Sequence, residues 1–89
     1  MKKLVTVKEV EGEGLVGLLG KRVMLFCLNY IYVGTLEGVN DADIKLANAA
    51  VVYATGAFTQ KKFSDAQPLP KSLYIRMRAI ESYSETDME

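Results

Sequence analysis

The sequence predicts one small domain that is mainly β, with three strand-like runs, a longer loop and two further short strands. Two observations carry that prediction. Between residues 21 and 53, three runs rich in β-branched, aromatic and other apolar side chains are separated by short turns containing Asn29, Asn40 and Asp41. Two further short runs, residues 73–76 and 79–83, follow a segment punctuated by Gly56, Pro68 and Pro70. A chain of 89 residues holds a single core near the lower comfortable limit for independent stability, so self-association is an expected source of additional stability.

Taken in order, residues 4–10 place apolar side chains at 4, 5, 7 and 10, a pattern shared by an extended arm and the start of a helix. Residues 1–14 are therefore read as an N-terminal arm. Leu15, Val16, Leu18 and Leu19 offer one or two apolar turns and predict a short helix ending near Gly20. Each interior glycine costs such a helix about 0.5–1 kcal/mol against alanine. Six consecutive apolar residues, VMLFCL, within residues 21–28 fit a strand covered on both faces. Asn29 then predicts a hairpin turn, because asparagine tolerates the left-handed conformation that a tight turn needs. Residues 30–39, YIYVGTLEGV, predict a long curved strand bent at Gly34. Tyr30 and Tyr32 share a strand face and read as packing or subunit-contact residues ahead of a stacking platform. After the turn at Asn40 and Asp41, residues 43–53 form a third strand, with Ile44 and Leu46 alternating against Asp43, Lys45 and Ala47. Residues 54–72 have the most loop-like composition and form a variable loop, although residues 57–63 can extend a hairpin. Residues 85–89 are an acidic tail expected to fray.

Charge and composition exclude several classes of function. The formal net charge is zero, but all 11 basic side chains and seven of the 11 acidic ones lie in residues 1–80, leaving four acids and no base in residues 81–89. No run of eighteen apolar residues is present, and Lys8, Glu9, Glu11 and Glu13 interrupt what would be a signal-peptide core. A soluble protein without an export signal or a membrane role is expected. The single cysteine, Cys27, lies within an apolar run, makes no internal disulfide, and favours a cytoplasmic setting. Glu37, Asp41 and Asp43 cluster around a bend, yet the chain has no histidine, no Gly-x-Ser-x-Gly and no phosphate-binding glycine loop to complete a catalytic set. No enzyme, catalytic residue, metal or cofactor is predicted.

The order of elements and several residues resemble the Sm-like (LSm) ring proteins. The resemblance rests on a short helix, GKRV opening the first strand, a bent second strand carrying G-T-L-x-G, a third strand ending near an alanine, a variable loop, and I-R-x-x-x-I near the C-terminus. Gly20, Val23, Gly34, Thr35, Leu36 and Gly38 match the family's first motif, and Ile75, Arg76 and Ile80 its second. The match runs from Leu15 to Ser84, so residues 15–84 are read as an Sm-like domain. It implies a five-stranded, strongly bent antiparallel, SH3-like barrel capped by the N-terminal helix. It further implies cyclic homo-oligomers of five to eight subunits in which one subunit's fourth strand pairs with the fifth strand of the next. Leu73, Ile75 and Ile80 are the expected residues of that subunit interface.

The family's usual partner is single-stranded RNA, bound one base per subunit around the pore. The resemblance implies that Asn40, Asp41, Asp43, Arg76 and Arg78 form the RNA-binding site. The details depart from the family. Asp41 or Ala42 occupies the stacking position, Asp43 stands where a base-reading asparagine is usual, and Met77 replaces a glycine between Arg76 and Arg78. Two functions follow as expectations: a homo-oligomeric ring binding single-stranded RNA in a chaperone or processing role, or a protein-interaction or structural ring with a degenerate nucleotide pocket. Lys61 and Lys62, flanked by Phe58 and Phe63, offer either a second basic and aromatic surface or a solvated loop.

Overall fold

The computed structural model describes residues 14–88. The expected arm thus lies almost wholly outside the described residues. Six strands form one antiparallel sheet: β1 Arg22–Cys27, β2 Ile31–Val39, β3 Asp43–Ala54, β4 Asp65–Pro68, β5 Leu73–Arg76 and β6 Ile80–Glu85. The sheet order is β4-β3-β2-β1-β6, and β5 also pairs with β3. The position expected for a fourth of five strands is occupied by two. β4 pairs with the second half of β3, at Ala50 to Ala54, and β5 with its first half, at Asp43 to Leu46. Neither Pro68, which ends β4, nor Pro70, which lies in the break between β4 and β5, has an N–H to give a ladder. The loop expected over residues 54–72 therefore contains a strand.

The bend has identifiable causes. The β2–β3 register shifts twice, between Val33 and Thr35 and between Leu36 and Gly38. At the first shift the strands approach so closely that a Cβ on Gly34 would stand 2.9 Å from Leu46 Cβ and 3.2 Å from Ala47 O. Opposite it Asn48 takes φ 49°, and apart from glycine no other described residue has a positive φ. The expected turn at Asn29 is present, closed by Cys27 N–H donating to Tyr30 O at 3.0 Å. The left-handed asparagine, however, is Asn48, where the bulge in β3 requires it.

A one-residue slip moves side chains to the opposite face of a strand. Ala49 accordingly joins a core of Val23, Leu25, Leu36, Ile44, Leu46 and Ile75, whereas its neighbour Ala50 joins a smaller cluster with Val33 and Val52. Each aliphatic side chain fully withdrawn from water in this way stabilises the fold by about 1.5–3 kcal/mol.

The N-terminal helix expected before β1 is reduced to a single 3-10 turn, Val16–Leu18. Gly17 weakens a longer helix, and Gly20 leaves it at φ 83°. Gly20 N–H then donates to Leu36 O at 2.7 Å, while Leu36 N–H donates to Lys21 O at 2.9 Å, which sews the segment to β2. Leu15 and Leu18 pack on the main core. The tail does not fray through Met88. Thr86 N–H donates to Arg22 O at 3.0 Å, and Met88 is 3% exposed. No helix among the described residues is long and apolar enough to cross a membrane.

Candidate nucleic-acid interface

Three connections meet at one end of the barrel. The bend over residues 40–43 is organised by Asn40, whose Oδ1 accepts the N–H groups of Ala42 and Asp43, both at 2.8 Å. Asn40 N–H donates to Asp43 O at 3.0 Å and completes the turn. A second 3-10 turn, Met77–Ala79, links β5 to β6. Met77 N–H donates to Ala42 O at 2.7 Å, tying it to the bend, and Leu28 N–H donates to Ala79 O at 3.3 Å, tying it to the β1–β2 turn. Residues distant in sequence are thereby held side by side by main-chain bonds.

Four of the five residues expected to bind RNA, Asn40, Asp43, Arg76 and Arg78, lie at this junction, and Asp41 sits at the tip of the bend. Asp43 and Arg76 are direct partners across the β3–β5 ladder. They do not form an ion pair, and among the described residues neither Arg76 nor Arg78 has a carboxylate within 4.0 Å. Both guanidinium groups are on exposed residues. The third acid of the cluster goes elsewhere: Glu37 Oε1 lies 3.8 Å from Lys45 Nζ, and the same ammonium stands 5.9 Å from the Tyr74 ring centroid. Half-exposed pairs of this kind contribute less than about 1 kcal/mol. Because Asn40 spends its carbonyl oxygen on two main-chain amides, it organises the bend and keeps only its amide hydrogens for an external acceptor.

A cavity of about 530 Å³ opens beside this junction, between the β1–β2 turn and β5. Its walls include Leu28, Tyr30 and Tyr32 on one side and Tyr74, Arg76 and Arg78 on the other, with no acidic residue in the lining. Tyr30 is 51% exposed, its ring tilted 58° to that of Tyr32 at a centroid distance of 6.2 Å. Cys27 also borders the cavity. Burial, and secondarily the Glu81 carboxylate, raises its thiol pKa, while burial and then Cys27 and Tyr30 raise that of Tyr32. Both groups are neutral at pH 7.

Among the described residues the sheet has two open edges: β6 pairs only with β1, and β4 and β5 pair only with β3. Of the residues expected at a subunit interface, Ile75 is turned into this chain's own core at 6% exposure, and Leu73 and Ile80 pack against the same cluster. Strand alternation gives the outward positions of β5 to Tyr74 and Arg76. Lys61 and Lys62, both exposed, border different cavities. Lys61 borders a cavity with Phe58 and Met24, Lys62 borders another with Arg22 and Phe63, and Phe63 packs on the smaller core cluster.

No protein-family model matches this sequence, and no curated protein matches it. Solved structures do. The chain is similar to a heptameric archaeal Sm protein, with a TM-score of 0.64 and 14% identity over 81% of this chain and 94% of that one. It is also similar to a Pyrococcus abyssii Sm protein solved in complex with a uridine heptamer, with a TM-score of 0.62 and 19% identity over 81% of this chain and 92% of that one. The bent six-stranded antiparallel sheet has the Sm fold.

Proposed function

We propose that this chain assembles into a cyclic homo-oligomer and binds single-stranded RNA at the junction of the 40–43 bend, the Met77–Ala79 turn and the β1–β2 turn. The observation that carries the proposal is the position of Arg76 and Arg78, two exposed cations without a carboxylate partner among the described residues, at the end of a sheet whose two edges are open among those same residues. Unpaired edge strands expose rows of N–H and C=O groups, and head-to-tail pairing of β5 with a neighbour's β6 would satisfy them in a closed ring. Such closure repeats the two arginines around a common axis, and cations that neutralise phosphates supply much of the affinity for RNA. The similarity to a heptameric Sm protein and to one holding a uridine heptamer supports both parts. In this reading residues 15–84 are the Sm-like unit, with no chemical step of its own, working in the cytoplasm. The test is fluorescence anisotropy with labelled oligo-U, oligo-A and mixed RNA. Salt-sensitive binding that Arg76→Ala with Arg78→Ala weakens is expected, the slope of log K against log salt falling by about 0.7 for each phosphate that is no longer neutralised. Binding unchanged by the double substitution would refute it.

A second reading, a structural or protein-interaction ring, is favoured by the bend itself. Asp41, Ala42 and Asp43 supply two carboxylates and no planar apolar face, and Asn40 Oδ1 is already committed. Recovery of protein partners without RNA in a pull-down from the source cell would support it over the first.

A further inference from the structure

We propose that the base is seated not on the 40–43 bend but in the cavity at the barrel mouth, with Tyr30 as the stacking face and Arg76 and Arg78 meeting the flanking phosphates. This rests on the RNA-binding role proposed above and names the residues that would perform it. Stacking needs an exposed planar face held in one orientation, and the bend offers none. Tyr30 offers one. Its ring is about half exposed, and the tilted contact with Tyr32 at 6.2 Å lies within the range in which aromatic pairs favour such geometry, which restrains it.

The electrostatics agree with the geometry. The cavity lining carries two guanidinium groups and no carboxylate, and the nearby Glu81 carboxylate that acts on Cys27 sets one negative charge against those two positive ones, whereas the bend carries Asp41 and Asp43. An anionic strand is therefore drawn to the tyrosine side of the junction and repelled from the acidic side. Asn29, in the same lining, has an amide with both donor and acceptor for the edge of a stacked base. The volume of about 530 Å³ lies within the range of small-molecule sites. The main-chain bond from Leu28 N–H to Ala79 O fixes the aromatic turn against the arginine turn, so the seat is largely preformed.

The test uses the full-length protein with oligo-U carrying 5-iodouridine. After irradiation the cross-linked residue is located by fragmentation mass spectrometry, and anisotropy compares wild type, Tyr30→Phe and Tyr30→Ala at equal assembly mass. Cross-links at Tyr30 or Tyr32 are expected. Tyr30→Ala should weaken binding roughly tenfold or more and Tyr30→Phe by no more than about twofold, because stacking uses the ring and not the hydroxyl. Cross-links confined to residues 41–43, or wild-type affinity in Tyr30→Ala, would overturn this seat alone. Loss of the oligomer in Tyr30→Ala, with no wild-type cross-link at Tyr30 or Tyr32, would overturn it in favour of a neighbouring subunit as occupant. Failure of the wild-type protein to bind any RNA would overturn the functional proposal and this one with it.

Discussion

Gly34→Ala tests the cause assigned to the bend. The new methyl carbon would lie 2.9 Å from Leu46 Cβ, 3.2 Å from Leu46 Cδ1 and 3.2 Å from Ala47 O. Carbon pairs are most favourable at about 3.5–4.0 Å, so two strands held by their own ladder must separate by several tenths of an ångström. The chain cannot yield by rotating a side chain, since a Cβ and a carbonyl oxygen move only with the backbone. Overpacking of this kind costs about 1–3 kcal/mol, and the reduced freedom of the unfolded alanine chain offsets about 0.4–1 kcal/mol. A net loss of about 1–2 kcal/mol lowers Tm by roughly 5–15 °C in a domain of this size. Thermal unfolding followed by circular dichroism measures it, at fixed protomer concentration because the proposed assembly would add stability. Gly38→Ala is the control, because its Cβ would meet nothing closer than Lys45 Cβ at 3.8 Å. A Gly34→Ala protein as stable as wild type, or one less affected than Gly38→Ala, would refute the close-approach argument.

Three further outcomes are expected. Asn40→Ala removes an acceptor of two amide bonds and should lower stability by about 1–2 kcal/mol in urea, whereas Asn40→Asp, which keeps the oxygen, should lose much less. Met88→Ala should cost about 2 kcal/mol in the same assay because Met88 is packed, and no loss would contradict that packing. The pKa values of Cys27 and Tyr32 are raised in the folded state, so above pH about 8.5 the unfolded chain releases protons that the folded chain retains. Stability should therefore fall as pH rises from about 8 towards 10, and the fall should shrink in Cys27→Ala.

Much of the sheet was legible because local chemistry and tertiary demand agree there. The run VMLFCL, the β-branched and aromatic stretch around Gly34, and the alternation of Ile44 and Leu46 give β1, β2 and β3 close to their observed limits. Where local preference and tertiary pairing disagree, the sequence misleads. DAQP has neither β-branched nor aromatic residues, and β4 forms because Val51 and Val52 offer it a ladder. Leu15 to Leu19 has helical spacing, yet the bonds from Gly20 and Leu36 bind the segment to the sheet after one turn. Asn48 is hidden for the same reason, since nothing local distinguishes a bulge asparagine from one in a regular strand. At the candidate site, the two motifs point to the 40–43 bend and Arg76, which the structure places at one junction, whereas Tyr30 reads as an ordinary strand residue until the fold sets it in the same cavity lining as Arg78. Two tyrosines two residues apart, directly after the turn residue Asn29, were the available signal.

Native mass spectrometry of the protein mixed with a short oligo-U at low salt tests the central claim directly, because assembly and RNA binding appear in one spectrum. A single closed species is expected, with a mass five to eight times the 9.9 kDa protomer and one RNA strand bound. A 9.9 kDa monomer at micromolar concentration, or a ring that carries no RNA, would contradict it.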